Sequence, residues 1–178
     1  LKLDGCTVLL GVPTGWRSLD RDSVADPKLL EIIQLADVIS PWTVGRYRDG
    51  KGVQRHAEKR WAPDKKWCDQ HTLDYMPVVF PGFSWHNMTG EPLDAIPRLK
   101  GQFFWSQIQA VKQSGCEMLY VAMFDEVDEG TAIFKCTNDP PVDGARFLGY
   151  EGLPSDHYLK LTGRAGKLLR GEIGTDSK

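Results

Sequence analysis

The sequence predicts an α/β fold, a (βα)4 array forming the C-terminal half of a TIM-type (β/α)8 barrel. Three observations lead there. Strand-like and helix-like segments alternate about four times along the 178 residues. Three of the strand-like runs end in a proline followed by a tryptophan: Val12-Pro13-Thr14-Gly15-Trp16, Ser40-Pro41-Trp42 and Phe80-Pro81-Gly82-Phe83-Ser84-Trp85. Proline cannot continue a central ladder, so it marks a strand end. No GxGxxG or GxxxxGK(S/T) loop follows any strand, which disfavours a doubly wound nucleotide fold. A complete barrel takes about 250 residues. Residues 1–171 are therefore expected to be half of one, with 172–178 a disordered tail. An isolated half would expose an apolar edge, so a missing N-terminal half is expected to complete the fold.

The elements follow in order. Cys6 to Val12 is the first apolar strand. Asp26 as N-cap and Pro27 at the first helical position open a helix through Leu29, Leu30, Ile32, Ile33 and Leu35. Asp37 to Ser40 is the second strand, followed by a polar loop and a helix from about Glu58 to His71. Tyr75 to Phe80 is the third strand. Ile96 to Ser114 is the strongest helix, with Leu99, Phe103, Phe104, Ile108 and Val111 on one face and Gly115 as the residue that ends it. Glu117 to Phe124 is the fourth strand, and Ser155 opens the last helix through Tyr158, Leu159, Leu161 and Leu168-Leu169.

Composition narrows the function. The 22 basic and 24 acidic residues leave a net charge of -2, so no bulk attraction to nucleic acid is expected. No apolar run approaches the length of a membrane span. The four cysteines (Cys6, Cys68, Cys116, Cys136) form no CxxC pair and read as buried or half-buried free thiols. The four histidines are equally scattered, and no metal or other cofactor is expected.

The fourth strand runs into Phe124-Asp125-Glu126-Val127-Asp128-Glu129-Gly130-Thr131, which gathers four carboxylates at a strand end. In parallel α/β proteins the carboxyl ends of the strands form the floor of the active site. Charges clustered there cost free energy unless they are paired, solvated or used. Glu126 and Glu129 are the candidate catalytic pair, since glycoside hydrolysis needs one carboxyl group to protonate the leaving oxygen and another as base or nucleophile. A spacing of three points them to opposite faces of a regular strand. They converge only if the chain bends, and Gly130 offers the bend. Repulsion between converging carboxylates raises the pKa of one and leaves the other ionised. Calcium is a poor fit: in an EF-hand register starting at Asp125, Val127 and Cys136 occupy two ligand positions.

The run Tyr120 to Thr131 resembles the Asn-Glu-Trp-x-Glu-Gly signature of glycoside hydrolase family 99 and the 71/99-like bacterial proteins. Pro81-Gly82-Phe83 and the closing stretch Tyr158 to Gly171 fit the same resemblance, which covers most of the chain. It implies a (β/α)8 barrel glycosidase, family 99 itself being retaining endo-α-mannosidases. It also implies that Glu126 is the base assisting the substrate's own 2-hydroxyl through a 1,2-anhydro sugar, and that Glu129 is general acid and then base. Asp125 stands where asparagine is usual and Val127 where an aromatic is usual, so mannose is not implied. The expected location is secreted or periplasmic, with the leader not present in this chain.

Around the pair, Trp42 and Trp85 are candidate stacking platforms for a sugar. His86 and Asn87 are candidate hydroxyl partners, with Asp125 beside them. A buried place in the core is the ordinary fate of any one of the rim tryptophans, Trp16 included. The basic loop Gly45 to Lys51 reads first as solvated surface. Its other reading is contact with an acidic or sulfated glycan, with Arg46 nearest the strand end. The expected partner is thus a glycan substrate, without nucleic acid or membrane. The spacing of the glutamates admits both retaining and inverting outcomes. A non-catalytic carbohydrate-binding barrel is the competing reading.

Overall fold

The structure is a computed structural model describing residues 4–141 and 144–175. Strands β1 (Leu9–Val12), β2 (Val38–Pro41) and β3 (Asp74–Tyr75) form one parallel ladder in sequence order, and β4 (Val78–Val79) and β5 (Tyr120–Val121) form another. Leu9 to Val12 align with Val38 to Pro41, Val38-Ile39 with Asp74-Tyr75, and Val78-Val79 with Tyr120-Val121.

The expected third strand, Tyr75 to Phe80, is therefore divided. Its first part pairs with β2 and its second with β5. Pro77 lies at the division with no N–H to donate, while its carbonyl accepts from Tyr120 N–H at 2.9 Å. The expected first and fourth strands are regular only over Leu9–Val12 and Tyr120–Val121.

The helices also shift from expectation. Asp26 accepts from Lys28 N–H at 3.0 Å and starts α1 (Lys28–Ile33), but Ile33 is its only buried residue. Ile32 and Leu35 face solvent. The second helical stretch begins at Gly50, well before Glu58. It comprises α2 (Gly50–His56), a widened π-type turn at Ala57–Trp61 and α3 (Ala62–Gln70). Asp49 caps it, accepting from Gly52 N–H at 2.6 Å. The π-turn ends just ahead of Pro63, which has no N–H to close an ordinary α-turn.

A short α4 (His86–Thr89) follows the fourth strand segment. The strongest predicted helix starts at Gln102, as α5 (Gln102–Gln113), after a 3-10 turn at Leu99–Gly101. Ile96 instead exchanges two backbone hydrogen bonds of 3.0 Å with Phe83, and Leu99 is exposed. Phe103, Phe104, Ile108 and Val111 are buried as their spacing requires. The last helix is α6 (His157–Leu169).

Residues 171–175 are tied down rather than loose: Ile173 packs on the core and Gln109 Nε2 donates to the Thr175 carbonyl at 3.0 Å. The predicted tail residues 176–178 lie outside the described residues. Cys68 and Cys116 are buried and Cys136 half-buried, but Cys6 is exposed.

One face of the strand row packs against the helices through Val12, Ile39, Tyr75 and Val79, over a core that includes Trp61, Phe104 and Ile108. The opposite face is only partly covered, with Ser40 and Val78 buried at its centre and its ends open. Leu9, Gly11, Ser40, Val78 and Tyr120 line an open groove of about 500 Å³, with Leu9 51% and Tyr120 38% exposed. Parallel strands are ordinarily covered on both faces.

Candidate functional site

The acidic segment is a closed loop. Met123 N–H donates to Thr131 O at 3.1 Å, Thr131 N–H to Glu126 O at 3.1 Å and Gly130 N–H to Val127 O at 3.1 Å. These bonds fold the chain back between Glu126 and Thr131. Gly130 makes the bend at φ +67°, and a Cβ there would stand 2.6 Å from Leu148 Cδ1. A side chain there would be strained by the left-handed backbone and would have to displace Leu148.

Two outside groups hold the loop. Ser84 N–H donates to Glu129 O at 2.8 Å, tying it to the segment after β4. Beneath it, buried Arg98 donates from Nη2 to the carbonyls of Gly130 and Ala132, both at 2.8 Å. The Arg98 guanidinium lies 4.9 Å from the ring centre of Tyr150 and 4.6 Å from that of Tyr158.

Both candidate glutamates are half-buried and Asp125 is exposed. Glu126 Oε1 accepts from Asp128 N–H at 3.0 Å. Glu129 has a raised pKa, first through burial and then through repulsion by Glu126 and Asp128. Among the described residues no cation pairs with either glutamate. The bend brings the two glutamates into electrostatic contact and holds Glu129 toward its protonated form.

The other predicted site residues separate into two groups. Trp42 is 44% exposed beside the groove, anchored by its N–H to Val12 O at 2.8 Å. Trp85 is half-buried, 4.3 Å from Phe83 between ring centres, with the Arg48 guanidinium 5.7 Å from its ring centre. Gly45, at φ +78°, lets the basic loop pass against Trp85, for a Cβ there would be 3.0 Å from the indole. Arg46 reaches the same groove as Trp42 and is paired with Asp22.

Trp16, by contrast, is fully buried and packs edge-on against Trp67, so it belongs to the core. Asn87 spends its amide hydrogens on Asp128 Oδ1 at 2.8 Å and the Arg146 carbonyl at 3.0 Å. It clasps the acidic loop rather than donating to a ligand. His86 Nδ1 lies 2.7 Å from the Glu91 carbonyl. Arg98 and Ser84 are not among the residues the sequence singles out, while Arg48 lies in the basic loop Gly45 to Lys51. For Arg98 the available signal was a lone cation in the apolar run Ala95-Ile96-Pro97-Arg98-Leu99. Among the described residues no three His, Cys, Asp or Glu side chains gather as a metal site would need, and no helix is long and apolar enough to cross a membrane.

Comparison with known proteins bears on this arrangement. No family model matches the chain. It is 27% identical over 113 residues to a glycoprotein endo-alpha-1,2-mannosidase-like protein of Danio rerio, covering 60% of this chain and 24% of that one. The protein of that name from Mus musculus is 29% identical over 115 residues, covering 61% and 24%. The resemblance to glycoside hydrolase family 99 proteins stands. The GH99 endo-alpha-mannosidase of Bacteroides thetaiotaomicron superposes with a TM-score of 0.69 at 20% identity, over 96% of this chain and 46% of that one. A second structure of that enzyme, with bis-tris-propane bound, gives 0.63 at 20% identity, over 85% and 49%. At this identity the structural likeness establishes fold alone: a mixed α/β arrangement that fits part of a barrel. The chain spans about a quarter of these curated relatives' length and just under half of these solved structures.

Proposed function

We propose that this chain forms the carboxyl-terminal half, (βα)4, of a (β/α)8 glycoside hydrolase domain, over residues 1–171. Its carboxylate pair Glu126 and Glu129 would cleave glycosidic bonds in an oligo- or polysaccharide. The observation that carries the reading is the state of Glu129. It sits half-buried on a closed loop where no cation among the described residues pairs with it, beside two other carboxylates that push its proton affinity up. A general acid must hold its proton at the working pH, and burial beside Glu126 and Asp128 raises the proton affinity of Glu129.

Glu129 is the acid that protonates the leaving oxygen and later the base that activates water. Glu126 is the base acting on the substrate's 2-hydroxyl. The sequence relatives named endo-alpha-1,2-mannosidase-like support hydrolysis of a glycoside, while Asp125 and Val127 leave the sugar open. Trp42 and Trp85 offer stacking surfaces at the rim. The partly covered strand face, with Leu9 and Tyr120 exposed along an open groove, supports a second half-barrel as the covering element. A location outside the cytoplasm, secreted or periplasmic, goes with this reading.

The test is hydrolysis of a broad glycan panel by the intact protein, with Glu126→Gln and Glu129→Gln measured separately. Each is expected to lower kcat by about 10²–10⁴. Glu129→Gln should retain more activity than Glu126→Gln on aryl glycosides whose leaving group needs no proton. Hydrolysis unchanged in both variants would remove the pair from the mechanism. Glycan binding with no hydrolysis of any panel member would favour a carbohydrate-binding barrel instead.

A further inference from the structure

A second concavity, of about 550 Å³, has a wall that carries Arg21, Arg46, Arg48, Arg55, Lys59 and Arg60. That volume falls within the range of small-molecule sites. Asp20 neutralises Arg60 through two bonds of 3.0 Å, and Asp22 pairs with Arg46. The carboxylate in the wall, Asp49, is occupied in capping the Gly52 N–H. Among the described residues no carboxylate pairs with Arg21, Arg48, Arg55 or Lys59.

A buried histidine in the same wall also lies within reach of its cations. His56, also in the wall, is 8% exposed, and its Nε2 has no hydrogen-bond partner. Its pKa is lowered to about 3, by burial first and then by Arg60, Arg21 and Arg46. Four unpaired cations converging on one concavity repel one another, and an anion bound there relieves that repulsion. Guanidinium forks match tetrahedral oxyanions with two parallel hydrogen bonds.

We infer that this basic concavity is a subsite for a sulfate or phosphate ester carried by the glycan. The inference rests on the glycosidase reading for its ligand's identity as a glycan. Position joins the two: Arg46 lines both this concavity and the groove beside Trp42, and Arg48 lies over Trp85. A sugar stacked at the rim would carry its anionic substituent into the arginines.

The experiment reads binding, not turnover, so it fails separately from the catalytic reading. Inorganic sulfate and phosphate are titrated into the intact protein by calorimetry at constant ionic strength in chloride. Glu129→Gln protein is applied to an array of sulfated, phosphorylated and neutral glycans. The expected results are saturable oxyanion binding and retention of esterified over neutral glycans, with the preferred ester marking sulfate or phosphate as the source. Arg55→Gln/Lys59→Gln should weaken both at least tenfold, and the charge-matched Lys28→Gln/Lys66→Gln should not. Equal weakening by the two double variants, or no saturable oxyanion binding, would overturn the inference. So would oxyanion binding without any preference among the glycans, which would mark an adventitious ion only.

Discussion

Asp64 and Glu129 are both carboxylates drawn partly out of water, and their surroundings differ in kind. Asp64, inside α3, is buried and held by Arg17 Nε at 2.6 Å and the Tyr75 hydroxyl at 3.2 Å. Burial pushes its pKa up to about 6 although both partners pull it down. At Glu129 burial, Glu126 and Asp128 all act in one direction. A partnered carboxylate is one the fold uses, since removing it strands its partners. An unpartnered one at a strand end costs stability, and such a cost is what functional sites tend to carry. With Glu129 proposed as the general acid, the two contrast a carboxylate held by partners with one put to chemistry.

The largest effect expected on stability is at the partnered site. Asp64→Ala leaves Arg17 and the buried Tyr75 hydroxyl without their acceptor and should cost about 3 kcal/mol, the low end for a broken buried pair because Arg17 is partly exposed. Asp64→Asn should keep most of that stability, because the amide still accepts and carries no buried charge. Wild-type stability should also fall as pH rises from about 4 to about 6, since the folded state holds the Asp64 proton longer than the unfolded chain. Denaturant midpoints across that range check both statements. Equal midpoints for Asp64→Ala and wild type would erase the distinction.

Arg98 tests whether the loop needs a scaffold. Arg98→Met leaves the Gly130 carbonyl without its buried donor and the Ala132 carbonyl with the Tyr150 hydroxyl in place of two donors, at an expected cost of about 2 kcal/mol. It should also lower hydrolysis about tenfold, because the bend that presents Glu129 is no longer pinned. Arg98→Lys should recover stability better than activity, for a single ammonium restores charge without the planar grip on two carbonyls. Activity that tracks stability in both variants would mean that Arg98 supports the fold only.

Much of the scaffold was legible because it obeys local rules. Asp26 before Lys28, the periodicity of Phe103, Phe104, Ile108 and Val111, and Gly115 after α5 announce themselves within a few residues. The acidic loop was legible too, since four carboxylates and a glycine behind an apolar run have few ordinary explanations. What escaped was nonlocal. Pro77 divides a strand because of which neighbours its two halves meet, and Leu99 leaves the core because Ile96 pairs with Phe83 instead of entering the helix. Trp16 and Trp85 share a sequence pattern, yet one packs on Trp67 and the other meets Gly45 and Arg48. The Asn87–Asp128 and Arg98–Gly130 bonds join residues more than thirty positions apart, beyond the reach of any local pattern.

The smallest effect is the most diagnostic of the comparison. Glu129→Gln removes a carboxylate that the fold opposes, so at neutral pH it should stabilise the protein, by less than about 1 kcal/mol at a half-exposed position. That corresponds to a Tm gain of no more than about 2–4 °C. The folded-state pKa lies above the value of about 4.3 for a free glutamate, so the folded protein binds more protons between those values. Stability then falls as pH rises through that window. Below it Glu129 is protonated folded or unfolded, and the wild type and the variant should melt together. Above it the gap should be complete and constant. Melting curves from pH 3 to pH 8 test this, and a variant that melts below wild type at neutral pH would place Glu129 with Asp64, as a charge the fold uses.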